Sequence, residues 1–147
     1  MVVAITAAQA ITTGQLVTNA GAGRTAYVSR DDCAAAAAAV LTSAGHENQT
    51  YDITGPEAVS AEDLAALAGE LGGKTIEVVH VDDDAYVAGL TGAGLPEVAA
   101  RLFASFGAST RGGFLEGVSS AVSDLTGEAP RSLRAILTAA SGEMVAA

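Results

Sequence analysis

The sequence predicts an α/β domain that is mixed in its first half and helical in its second. Three observations predict it. Strand-like segments, "QLVT" (15–18), "RTAYVSR" (24–30), "QTYDIT" (49–54) and "KTIEVVHV" (74–81), alternate with helical stretches up to residue 81. Beyond residue 81 the chain breaks into short apolar helices joined by glycines. The 147 residues are the length of one domain. They are half hydrophobic but only 4% aromatic, with no Trp, so the core must be built from Val, Leu, Ile and Ala.

Each element has a local reason. Residues 2–13 read as an apolar helix stopped by Gly14, and 15–18 as a short strand. "NAGAG" (19–23) is turn chemistry. "DDCAAAAAAVLTSAG" (31–45) is a helix that Asp31 or Asp32 caps, the Ala run propagates and Gly45 ends. After the strand at 49–54 comes the turn "GPE" (55–57). "SAEDLAALAGELGG" (60–73) opens with Ser60 and Asp63 in capping-box spacing and closes on two glycines. Helices are expected at 82–94, 95–107, 115–127 and 130–140, with Pro96 and Pro130 near helix starts, where a missing N–H costs nothing. Residues 141–147 read as a loose tail.

Composition excludes several functions. The formal charge is −10, from 17 acidic and 7 basic residues, and the basic residues do not cluster. Such a surface repels phosphate backbones and anionic membranes. No apolar run approaches the ~20 residues of a membrane span, although the mean hydropathy is +0.37. The N-terminus has no basic residue before its apolar stretch, which argues against a secretory signal. A single cysteine, Cys33, excludes an internal disulfide and a cysteine-based zinc site. A cytoplasmic protein that binds no nucleic acid and no membrane is expected.

Candidate chemistry is sparse. Gly21-Ala22-Gly23-Arg24-Thr25-Ala26 matches G-x-G-x-x-A, but a strand rather than a helix is expected after it, and carboxylates stand at the next helix start. It reads as a glycine turn between strands. "HVDDD" (80–84) sets a His beside three carboxylates; the simpler account is a strand end followed by acids favouring a helix N-terminus. His46 belongs to a loop. Ser29 has no sequence-adjacent His, and Cys33 sits in a helix first turn whose acids oppose thiolate formation, so it reads as structural. Arg30 ends a strand just before a helix, a position that faces the ligand crevice in open α/β sheets. "SFGASTRGGF" (105–114) reads as a glycine-rich loop presenting Ser109, Thr110 and Arg111, either lining a pocket or merely connecting two helices.

The stretch from "GAGRTAYVSRDDC" to "KTIEVVHV", with "GLPEVAARLFASFGASTRGGF" and "LTGEAPRSLRAIL", resembles the second half of the NmrA-like atypical short-chain dehydrogenases, in particular the bacterial NAD(P)H:quinone oxidoreductases. The resemblance runs from about residue 2 to residue 140 and rests on the order of segments, not on one motif. It implies a partial NAD(P)-binding Rossmann-like fold that lacks the N-terminal nucleotide-binding half, its G-x-x-G-x-x-G loop included, with a helix-rich substrate-side region. It implies Val28, Ser29, Arg30, Asp31, Asp32 and Cys33 as cofactor-side residues, Asp32 in a structural role, and Ser109, Thr110 and Arg111 on the substrate side. It further implies NADP or NAD as cofactor, no flavin, no metal, and hydride transfer directly to a quinone. Catalytic residues are not identified. Binding of the cofactor by this chain alone is not expected, and an exposed apolar face is, where the missing Rossmann half or a second copy would pack. A non-catalytic NAD(P) sensor or a stand-alone interaction domain are the alternatives.

Overall fold

A computed structural model describes the backbone of residues 2–145 and the side chains of residues 3–140. The chain divides into two compact units. One is built from the chain up to Thr25 together with Val59–Glu116; the other from Ala26–Ala58 together with the chain from Gly117.

The first unit holds helix α1 (Val2–Thr13), strand β1 (Gln15–Thr18), helix α3 (Ala61–Gly72), strand β2 (Glu77–His80) and helices α4 (Asp83–Gly92) and α5 (Glu97–Arg111). The strands pair in parallel, Gln15 opposite Glu77 through Thr18 opposite His80. Parallel neighbours need a crossover, and α3 supplies its helix. The expected capping box is present: Ser60 Oγ accepts from the Asp63 N–H at 3.2 Å and Asp63 Oδ2 from the Ser60 N–H at 2.9 Å. Gly73 ends α3 in the left-handed region (φ 63°). Leu16 and Leu64 are buried with Ala7, Ala10, Ala65, Ala68, Ala100 and Ala104. Small residues let the helices come close; the β2 strand arrives from Lys74, whose carbonyl would lie 2.5 Å from a Cβ at Gly69.

The second unit holds helices α2 (Arg30–Thr42), α6 (Ala121–Thr126) and α7 (Leu133–Val145). Ala36, Val122, Leu133 and Leu137 are buried in it. Its joints are polar: the Ser119 N–H donates to Thr54 Oγ1 at 2.9 Å, and the Ser119 hydroxyl donates to the Asp52 carbonyl.

Several expectations need correction. The cap of α2 is Ser29, not Asp31 or Asp32: Ser29 is extended (φ −75°, ψ 153°) and its Oγ accepts from the Asp32 N–H at 3.0 Å. Residues 24–30 form no strand beyond a single antiparallel bridge, Thr25 to Val59. The alternating segment 49–54 has no ladder at all. A strand is defined by its neighbour, and the second unit supplies none among the described residues. The segment expected as a glycine-rich loop, 105–114, is helical up to Arg111, because Gly107 serves close packing and not flexibility. The helix expected at 115–127 shrinks to six residues. Helix α7 continues to Val145, into the segment expected as a tail, since no proline follows Ala140 to stop it; residues 146 and 147 lie outside the described residues.

Candidate functional site

Because β1 and β2 are parallel, the chain leaves both at the same edge of the sheet. In open α/β sheets that carboxyl edge is where ligands bind. Asn19, the first residue past β1, is only 3% exposed. A buried carboxamide must find partners. Its Nδ2 donates to Asp83 Oδ1 and to the Ala104 carbonyl, both at 2.8 Å. Arg111, in the last turn of α5, meets Asp83 fork to fork, Nη1 to Oδ1 and Nη2 to Oδ2 at 3.1 Å each, and Nη1 also donates to the Asn19 carbonyl. One constellation thus ties the end of β1, the start of α4, and the middle and last turn of α5.

Glycines make this possible. A Cβ on Gly107 would lie 1.9 Å from Asn19 Oδ1, and one on Gly23 would lie 2.2 Å from the Thr110 carbonyl. The Thr25 and Thr110 hydroxyls are 3.2 Å apart. Beside the constellation lies a depression of about 410 Å³, lined by Asn19, Gly21, His80, Val81, Asp83 and Arg111 among others.

The electrostatics limit its chemistry. The Arg111 hydrogen bonds, then that of Asn19, hold the Asp83 carboxyl below the usual carboxylate range. Asp83 in turn raises the Arg111 guanidinium above its ordinary value. Neither group exchanges a proton near neutrality, so the pair can orient and attract but cannot serve as general acid or base. The "HVDDD" residues are otherwise spent: Asp82 caps α4 through the Ala85 N–H at 2.8 Å, and His80 Nε2 meets Glu62 Oε1 at 2.9 Å. Among the described residues no three His, Cys, Asp or Glu side chains converge as metal ligands.

The glycine motif is a turn. Gly21 is left-handed (φ 57°), Arg24 pairs with Asp63 at 2.8 Å, and the next helix begins only at Arg30. A phosphate loop would need that helix at once.

The residues singled out from sequence fall into two sets, one in each unit. Val28 to Cys33 lie in the second unit: Ser29 is occupied as a cap, Arg30 is exposed at the helix start, and Cys33 is exposed. Asp31 Oδ2 accepts from Arg131 Nη1 at 2.6 Å, and Asp32 Oδ2 from the Arg131 N–H at 2.9 Å. Ser109, Thr110 and Arg111 lie on α5 in the first unit; the Ser109 hydroxyl turns back to the Ser105 carbonyl at 2.9 Å. His46 is bracketed by Ser43 Oγ and the Tyr51 hydroxyl, each at 2.8 Å. Asn19 and Gly107 were not among the sequence candidates, and Asp83 was read only as a helix-start acid. An Asn directly after a strand was the available signal.

No family model matches the chain. NAD(P)H azoreductase of Xenophilus azovorans is 32% identical over 118 residues, which are 80% of this chain and 41% of that protein. Quinone oxidoreductase 2 of Escherichia coli strain K12 is 36% identical over 103 residues, 69% of this chain and 36% of that protein. The crystal structure of an NADPH-dependent quinone oxidoreductase from Escherichia coli matches with a TM-score of 0.88 at 30% identity, covering 92% of this chain and 49% of that one. The chain therefore spans less than half the length of the curated relatives it matches, and the shared architecture is that of NAD(P)-binding Rossmann-like reductases. Among the described residues no helix is long and apolar enough to cross a membrane. The chain belongs, as a C-terminal part of the fold, to the NmrA-like family of NAD(P)H-dependent oxidoreductases.

Proposed function

We propose that the chain is the substrate-side portion of a cytoplasmic NAD(P)H-dependent oxidoreductase that reduces quinones, and that it does not bind the cofactor by itself. The observation that carries this reading is the carboxyl-edge depression beside the Asn19–Asp83–Arg111 constellation. It supplies fixed polar groups without an acid–base pair, which suits a reaction whose chemistry belongs to the cofactor. When bound in the complete fold, the nicotinamide would supply the hydride, and water the proton, that together convert the quinone into a hydroquinone and leave the nicotinamide oxidised. Neither flavin nor metal takes part. Ser109, Thr110 and Arg111 are the substrate-side residues of this reading, and Val28 to Cys33 the cofactor-side ones. The nucleotide-binding half of the fold is the natural cover for exposed apolar side chains such as Val98 and Phe114, at 83% and 81% exposure.

Two measurements test it. Titrating the chain with NADPH and following nicotinamide fluorescence should show no saturation; saturable micromolar binding would overturn the claim that the site is incomplete. Joined to the nucleotide-binding half of the Escherichia coli quinone oxidoreductase, the chain should oxidise NADPH in the presence of tetramethyl-1,4-benzoquinone, whose fully substituted ring spares the exposed Cys33 thiol. Tight NADPH binding without turnover would favour a sensor instead.

A further inference from the structure

Two features that ordinarily hold anions meet at the carboxyl-edge depression. A guanidinium matches a carboxylate or a sulfonate with two parallel hydrogen bonds. The start of a helix draws negative charge through its dipole and its unpaired N–H groups. Here both are satisfied from within the chain. Asp83 takes the Arg111 fork, one oxygen on each terminal nitrogen at 3.1 Å, and Asp82 accepts from the Ala85 N–H at 2.8 Å.

Asp83 is also held from its other side. Its Oδ1 accepts from Asn19 Nδ2 at 2.8 Å, and the same amide is anchored on the Ala104 carbonyl. Asn19 is buried, so losing that acceptor would strand a donor away from water. A free anion would have to displace a carboxylate that is tethered to the chain and already in position, and an intramolecular partner competes at high effective concentration. The rest of the lining does not reverse the balance. Asp82 and Asp83 stand against Arg111 alone, and His80 faces Glu62 at 2.9 Å. Asp83 and the Asn19 carbonyl leave the Nε–H and one Nη2–H of Arg111 without a partner among the described residues. The edge left to a ligand is therefore a hydrogen-bond donor whose charge is already neutralised.

We propose that Asp83 sets the charge specificity of the depression: by occupying the Arg111 fork it closes the site to anionic ligands and leaves it to uncharged or cationic ones. This rests on the depression being the ligand site of the proposed function, but it concerns binding and not hydride transfer.

The test is a titration of the full chain, without NADPH, with 2-naphthalenesulfonate, whose sulfonate matches the fork. Binding is followed by NMR at the Arg111 Nε–H and the Gly21 amide, since Gly21 also lines the depression. The wild type should show no saturable shift. Asp83→Asn, which keeps an acceptor for Asn19, should bind the sulfonate saturably and at least about tenfold more tightly than the wild type. Asp83→Ser empties the fork as well and gives the same readout if the Asn variant does not fold. Asp82→Asn removes the same charge and keeps a good cap, but leaves the fork filled, so it should gain little. Adding Arg111→Gln to Asp83→Asn should abolish the gain. Saturable binding by the wild type at Arg111, no gain on emptying the fork, or an equal gain in Asp82→Asn overturns the proposal. None of these results depends on NADPH oxidation by the joined protein, so the two claims fail separately.

Discussion

The two units solve the same problem with different means. The first unit has a parallel ladder, a satisfied capping box and a buried carboxamide that locks three elements. The second has helices and a strand-like segment without a neighbour. Residues 49–54 alternate as well as any strand in the chain, yet they make no ladder. "KTIEVVHV" becomes β2 because β1 is there to receive it. Period-two alternation states that a segment can lie in a sheet; only a partner makes it do so. The difference between the units is the difference between a pattern answered within the chain and one left unanswered.

The largest test of this contrast is hydrogen exchange. Amides of Glu77 and Val81, which donate to the Gly14 and Thr18 carbonyls at the two ends of the ladder, should be protected about a hundredfold or more over those of Tyr51 to Thr54, which bond to no backbone carbonyl. Equal protection in the two segments would mean that 49–54 finds a sheet partner in solution.

A smaller effect is expected at the lock of the first unit. Gly107→Ala drives a methyl into Asn19 and should destabilise the first unit by about 1–3 kcal/mol, read by urea unfolding. Protection at β1 and β2 should fall while that of α2 holds. A uniform loss across both units would show that they unfold as one.

The smallest effect is that of acid. Backbone hydrogen bonding from Ser60 lowers Asp63, and the Arg111 hydrogen bonds lower Asp83. Each carboxylate is bound better folded than unfolded, so its contribution is fully present above the unfolded value of ~3.9. It is lost as pH falls through the lower folded value. The urea midpoint of the first unit should therefore drop below about pH 4, and Asp83→Asn should flatten that decline. An identical acid limb in the variant would deny Asp83 its part.

Much of the fold was legible because its signals are local. Ser60 and Asp63 announce α3, Gly14 ends α1, and "QLVT" is a strand as read. What was not legible depends on distant contacts. Gly107 looks like a flexible point in "ASFGAST" until Asn19, 88 positions earlier, is seen against it. Asp83 looks like one of three helix-start acids until Arg111 reaches it. The candidate site escaped for the same reason: its polar groups face one another across the unit and not along the chain.

The alanines buried in the first unit reverse the usual vulnerability of a protein interior. Ala7, Ala10, Ala65, Ala68, Ala100 and Ala104 have only a methyl group to give up, so truncation removes little. Growth is the danger: Ala100, with no exposed surface at all, has nowhere to place a second carbon. A mutational scan should find Ala100→Gly a mild change and Ala100→Val a severe one, so that side-chain enlargement, and not loss, marks out the interior of this protein.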